Sequence, residues 1–178
     1  IPGREYTLND TVKINLMKVF EVAFNEIADS GKFSLGALHE CYQKHLARAA
    51  FCIAEGLDFH LAHQYRNEPE LLLNLLCYGP IEKGRDASHG GVDFYNMCCD
   101  GAGLAVVADS FAALQTQVVE RKRIAWKECV EAVRSDFRNE NGEQIRRLLA
   151  SSPRFGHGGT CADEWAVTLT YDFVEAFP

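Results

Sequence analysis

The residues of this 178-residue chain that could do chemistry fall into a few clusters. The densest runs from Gly90 to Ser110, GGVDFYNMCCDGAGLAVVADS. It contains two adjacent cysteines, Cys98 and Cys99. A strand would point them to opposite faces, so at most one could line a given cavity. Free cysteine is readily buried as a small apolar residue, and the pair reads as structural. Gly101-Ala102-Gly103, ahead of a helical pattern, could offer backbone amides to an anion. It lacks the spacing and the lysine-serine or lysine-threonine end of a phosphate loop, so it reads as a tight turn. Asp109 lies among Val106, Val107 and Phe111 and is expected to pair with a backbone amide or a basic residue.

Elsewhere, Cys41 and His45 are four apart and His60 and His63 three apart. Either pair could share a helix face and bind a metal. A closed structural zinc site needs four ligands. The sequence has no Cys-x-x-Cys, no His-Glu-x-x-His and no evident third ligand, so no metal is expected. Glu82, Arg85 and Asp86 sit together before Gly90-Gly91 as either a buried ion-pair network or a solvated turn.

Composition sets the class of molecule that must position these residues. Hydrophobic residues make up 47% and charged residues 24%, which is globular rather than disordered. A net charge of -7 gives nothing to neutralise phosphates, so neither nucleic acid nor an anionic membrane is expected as a partner. No apolar run approaches membrane-spanning length. No charged-then-apolar targeting segment opens the chain, and a cytoplasmic protein is expected. The seven cysteines are an odd number and lie mostly within apolar or helical patterns. That suggests a reducing interior.

Periodicity then gives the elements. Residues 1–7 read as an extended lead-in. Asn9 or Asp10 caps a helix carrying Val12, Leu16, Val19, Phe20, Ala23 and Ile27, which Gly31 ends. Ser34 caps a second, long helix that is bent or broken near Gly56 and reaches towards Tyr65. Pro69 suits the first turn of a third. Leu71 to Leu76 is apolar nearly all round and is expected to be deeply buried. Val92 to Met97 is the best strand candidate. Further helices are expected from about Leu104 to Lys122, Trp126 to Phe137, Gly142 to Ala150, and from Asp163 onward. No repeat, low-complexity tract or linker interrupts the chain.

The Gly90–Ser110 block resembles a segment of the glycyl radical enzymes, the pyruvate formate-lyase superfamily. Three further blocks support the resemblance. Val12-Lys13-Ile14-Asn15-Leu16-Met17-Lys18 is similar to the family helix that follows the active-site cysteine loop. Ile81-Glu82-Lys83-Gly84-Arg85-Asp86 is similar to the stretch before its double glycine. Ser152-Pro153-Arg154-Phe155-Gly156 with Ala162-Asp163-Glu164-Trp165-Ala166 is similar to a block near the end of the catalytic core. His157 and Gly158-Gly159 depart from the family pattern.

The resemblance implies a mainly α fold with a few strands, part of the ten-stranded α/β barrel of these enzymes. Residues 1–178 would be a fragment from the C-terminal half of the catalytic domain. The family's thiyl-forming cysteine loop lies upstream of the first matched block, and its radical-storing Arg-Val-x-Gly-aromatic loop near the C-terminus. Neither is expected here, so no catalytic residue is assigned and Cys98-Cys99 is not taken as the radical relay. Tyr95, Asn96, Met97 and Cys98 would line the substrate cavity by position. The parent enzyme would abstract a hydrogen atom from a small organic substrate, as a dehydratase, decarboxylase or formate acetyltransferase. The Tyr95-Asn96 wording is closer to the dehydratase-like branch. It would need a glycyl radical installed by an S-adenosylmethionine-dependent activating enzyme, and it would be a homodimer. The chain ends in what reads as an unfinished helix, and alone it would be inactive. The alternatives are a self-contained helical interaction domain, or a redox or metal protein built around Cys98-Cys99.

Overall fold

The structure, a computed structural model, describes residues 10–177. The expected lead-in and the cap at Asn9 lie outside them. The described chain is mainly helical, with one two-stranded parallel sheet of β1 (Asp10–Asn15) and β2 (Met97–Ala102). Two strands close no barrel. The chain divides into two compact units. The first comprises Ile1–Ile14 and Ala50–Asp100; the second comprises Asn15–Ala49 and Gly101–Pro178.

The Val12–Lys18 block is not one helix. Val12, half-buried, and Ile14, buried, flank an exposed Lys13. That two-residue alternation of β-branched side chains is a strand signal, and it prevails up to Asn15. Asn15 is the N-cap, accepting the Lys18 amide at 3.0 Å, and α1 runs Leu16–Ser30. Gly31 ends it in the left-handed conformation, as expected, at φ 69°.

Ser34 caps α2 (Leu35–Asn67) through the Ala37 amide. The helix passes Gly56 without a break. A mid-helix glycine costs only about 1 kcal/mol, which a helix of 33 residues absorbs. In the second unit Leu38, Tyr42 and Leu46 are wholly buried one turn apart. Beyond Ala50 the helix belongs to the first unit, and Gln64 is its one buried residue among those described.

The first unit continues with α3 (Leu71–Leu76) and α4 (Pro80–Lys83). Glu70 is the N-cap of α3, so Pro69 precedes the helix instead of starting it. The expected burial of α3 does not hold. Leu71, Leu72 and Leu75 are 71%, 72% and 68% exposed. A short 3-10 turn, Ala87–His89, leads to Gly90-Gly91. A β-carbon on Gly91 would strike the carbonyl oxygens of Arg85 and Asp86, so the turn closes only with glycine. The strand then comes later than expected: residues 92–96 are irregular apart from a bridge at Phe94, and β2 starts at Met97. Asp100 and Gly101 disfavour a strand locally, and pairing with β1 overrides them.

The second unit is organised around α5 (Leu104–Leu114), which packs against α1, α7 (Gly142–Ala150) and α8 (Cys161–Glu175). Gly103 is its N-cap at φ 95°, and a side chain at Gly101 would meet Leu16 and Phe173 at about 3.1–3.2 Å. The expected turn is therefore confined to Gly103, whose positive φ favours glycine, while Gly101 lies in β2 at a close approach to those two side chains. Phe111, fully buried, stacks on Trp165 at 4.4 Å and meets Phe20 edge-on at 5.1 Å. The helix continues as a π-turn over Gln115–Glu120, followed by α6 (Trp126–Arg134). Helix α6 ends three residues short of Phe137, where Asp136 and Phe137 take positive φ. Thr160, with Asp163 three residues on, forms the capping box of α8.

Candidate functional site

Tyr95, Asn96, Met97 and Cys98 are all half-buried and lie on β2 or just before it, in the first unit. The Tyr95 hydroxyl donates to Gln64 Oε1 at 3.3 Å, and Gln64 Nε2 donates to Glu70 Oε1 at 3.0 Å. This fixes the tyrosine against α2. Cys99 follows on the strand. Burial, and then Asp100, push its thiol above the ordinary value, with a backbone hydrogen bond at Ile14 acting the other way. A raised thiol is a poor nucleophile at neutral pH.

In the Glu82-Arg85-Asp86 cluster, Glu82 and Arg85 are exposed, as in the solvated-turn alternative, and only Asp86 is partly buried. Among the described residues no ion pair joins the three. Glu82 accepts the Gly79 amide and remains exposed. Asp86 is the organiser of the loop. It accepts from the Glu70 and Ser88 amides at 2.9 Å, from the Ser88 hydroxyl at 2.6 Å and from Asn74 Nδ2 at 2.7 Å. Asn74 Oδ1 in turn accepts the Ala87 amide. Partial burial acts most strongly on Asp86 and would raise its pKa. The hydrogen bonds from Ser88, Asn74 and Glu70 together outweigh it, and the carboxyl sits below its ordinary value. Gln64 and Asn74 carried no sequence signal, because polar residues within helices are usually solvated.

The second unit has a cleft of about 650 Å³ between α1, α5, α6 and α7. Phe20, Phe24 and Leu149 supply apolar wall; Asp109, Arg134 and Arg154 supply charge. None of Tyr95, Asn96, Met97 and Cys98 lines it. Asp109 pairs as expected with both kinds of partner, the Phe155 amide at 2.7 Å and Arg154 at 3.5 Å. It thereby ties the Ser152–Gly156 block to α5. Cys129 also reaches the cleft, and Cys129-Val130-Glu131 has the cysteine-x-glutamate spacing used by some radical lyases. Here both residues lie on α6, where positions two apart face away from each other. Burial pushes the Cys129 thiol up to about 12, so it is inert.

Two further clusters were not legible in the sequence. Asp172 on α8, 8% exposed, accepts from Gln43 at 2.6 Å and lies 2.7 Å from His39 Nε2. His39 packs edge-on to Trp165 and Phe111. This is a cross-helix polar lock within an aromatic core. On α1, Glu26 meets His45 at 2.7 Å and Lys44 at 3.2 Å, and these two partners hold its carboxyl below the ordinary range. His60 and His63 are exposed, and His63 Nδ1 sits 2.8 Å from the Phe59 carbonyl oxygen.

Comparison with known proteins decides the lineage. A family profile, pyruvate formate lyase-like, matches residues 1–177. The chain belongs to this family. Among curated relatives, 27% of residues are identical over 100 positions to a trans-4-hydroxy-L-proline dehydratase of Clostridioides difficile. That match covers 56% of this chain and 12% of the enzyme. An isethionate sulfite-lyase of Desulfovibrio desulfuricans is 38% identical over 61 positions, 34% of this chain and 7% of that protein. The crystal structure of the Clostridioides difficile hydroxyproline dehydratase with substrate superposes on 94% of this chain and 23% of its own, with a TM-score of 0.82 at 20% identity. The B12-independent glycerol dehydratase of Clostridium butyricum gives 0.78 at 20%, covering 92% and 22%. A glycyl radical enzyme of Archaeoglobus fulgidus gives 0.77 at 24%, over the same shares.

The pyruvate formate lyase-like chain described here thus has the fold of part of a glycyl radical enzyme, and it spans about a quarter of the solved enzymes it matches. No Arg-Val-x-Gly occurs in the 178 residues. Among the described residues, no helix is long and apolar enough to cross a membrane.

Proposed function

We propose that this chain is one portion of the catalytic domain of a glycyl radical enzyme of the dehydratase or lyase type, acting on a small organic substrate. One observation carries the reading: the structural match extends over 94% of the chain and covers 23% of a hydroxyproline dehydratase. The exposed leucines of α3 support it, because a contiguous apolar face on one element is what a larger domain covers. In the parent enzyme Tyr95, Asn96, Met97 and Cys98 line the substrate cavity. The tyrosine is oriented by its bond to Gln64. The radical-storing glycine and the hydrogen-abstracting cysteine belong to other parts of that enzyme, whose radical is installed by an activating enzyme. The parent works as a homodimer that contributes this chain's helices to the outside of its barrel.

Two measurements test this. The chain alone, incubated without oxygen with a radical activating enzyme and S-adenosylmethionine, gives no protein-centred glycyl signal by electron paramagnetic resonance; a glycyl doublet would overturn the reading. In the parent enzyme, Cys98→Ala and Cys99→Ala leave radical formation intact and change turnover only through cavity shape. Complete loss of turnover in a folded, radical-loaded variant would make one of them the hydrogen-abstracting thiol.

A further inference from the structure

Cys41 and His45 lie one turn apart on the same face of α2. The sequence shows no third ligand for them, but the fold supplies one. Glu26, in the last turns of α1, points its carboxylate at the same place. The Cys41 sulfur, a His45 ring nitrogen and a Glu26 carboxylate oxygen all lie within 4.8 Å of one another. All three residues belong to the second unit. The cluster is graded from inside to outside. Cys41 is buried, the His45 side chain is 17% exposed and the Glu26 side chain is 48% exposed.

We propose that Glu26, Cys41 and His45 form a binding site for one divalent ion of the zinc class, with water completing the coordination. Thiolate, imidazole and carboxylate are the donors that zinc takes, at about 2.0–2.3 Å. A tetrahedral set at those bond lengths holds its ligand atoms about 3.3–3.8 Å apart. The present ligand atoms lie within 4.8 Å of one another, so closing them on an ion takes only a small correction. The correction falls to Glu26, the one ligand on α1 and the most exposed of the three, while Cys41 and His45 stay fixed in register on one helix. A thiolate in the set selects against magnesium and calcium, which take oxygen ligands. Three protein ligands with solvent on the Glu26 side leave room for a fourth, non-protein ligand.

In the metal-free arrangement the Glu26–His45 hydrogen bond, 2.7 Å long, holds the two side chains facing each other. Metal entry replaces that bond by shared coordination and displaces one proton from the Cys41 thiol to solvent. Lys44 opposes the ion. Its ammonium lies 3.2 Å from the other Glu26 oxygen, with a side chain 70% exposed. It therefore has to swing into solvent when the cation arrives.

The test is titration of the reduced, purified 178-residue chain with cobalt(II) without oxygen, followed by displacement with zinc. One equivalent of cobalt gives a thiolate-to-metal charge-transfer band and the intense visible bands of a tetrahedral site, and one equivalent of zinc removes them. Cys41→Ser abolishes the charge-transfer band, and Cys52→Ser, at an exposed position on the same helix, retains it. Because Cys41 is buried and its variant could fail to fold, Glu26→Gln is the second variant. Its side chain is half-exposed, its circular dichroism stays native, and its zinc affinity falls about tenfold or more, the scale at which even an outer-shell partner is felt. Absence of a charge-transfer band at one equivalent, its persistence in Cys41→Ser, or unchanged affinity in folded Glu26→Gln would each overturn the site.

Discussion

The two units are built on opposite principles. The second has an apolar core: Phe20, Phe24, Tyr42, Phe111 and Leu169 are buried around α5, and both tryptophans pack within it. The first buries only Ile14, Ala50, Pro80, Ala87 and Val92 among its described apolar side chains. It exposes Phe51, Phe59, Leu71, Leu72, Leu75, Tyr78, Ile81 and Phe94. What orders it is hydrogen bonding, centred on Asp86, Asn74 and Gln64. Apolar burial is non-directional and stabilises a unit on its own, whereas a polar network fixes geometry and adds little net free energy. The second unit carries its own apolar core, and the first waits for apolar cover. That is the state expected of a portion of a larger catalytic domain.

The sharpest break in this contrast is Phe111→Ala. It removes the ring at the centre of the second unit and is expected to destabilise it by about 3–5 kcal/mol in urea unfolding followed by tryptophan fluorescence. Because Trp126 and Trp165 both lie in the second unit, that signal reports this unit alone.

Asp86→Ala should act on the other unit. It strips four hydrogen bonds, so local opening becomes easier by about 1–3 kcal/mol. Amide hydrogen exchange at Glu70 and Ser88 should accelerate while the fluorescence midpoint stays put. The pH dependence has a definite sign. The folded-state pKa of Asp86 lies below its ordinary 3.8, so its contribution is complete above that value and is lost as pH falls through the depressed one. Protection at Ser88 should fall in that acid window in the wild type and show no such step in Asp86→Ala.

The smallest effect is expected at Leu75→Ser. In this chain the side chain is already 68% exposed, so stability should change by less than about 0.5 kcal/mol. In the parent enzyme the same change should lower the melting temperature, since there the leucine is covered. Equal, near-zero effects in both would mean that nothing covers α3.

These differences explain what was legible in the sequence. The second unit's helices follow from local period and caps: Gly31, Ser34 and the Gly142–Ala150 helix fall where expected because each signal is confined to a few neighbouring residues. Asp109 was legible too, since a carboxylate among apolar neighbours must find a partner. The failures cluster where a non-local partner decides. β1 and β2 exist because they pair with each other, and that pairing turned the start of a supposed helix into strand and moved the second strand five residues along. The exposure of α3 was unreadable, because an all-round apolar helix looks the same whether its cover is present in the chain or outside it. The Glu26–Cys41–His45 cluster needed two helices, and only its within-helix pair shows in the spacing.

The central claim, that this chain is one portion of a glycyl radical enzyme, is tested most directly by the coding sequence on either side of it. Upstream of Ile1 the account predicts a cysteine followed two positions later by glutamate, or a tandem cysteine pair. The former would place a carboxylate to move protons beside the thiyl. Downstream of Pro178 it predicts an Arg-Val-x-Gly-aromatic loop. A start codon just before Ile1 together with a stop codon just after Pro178 would contradict it.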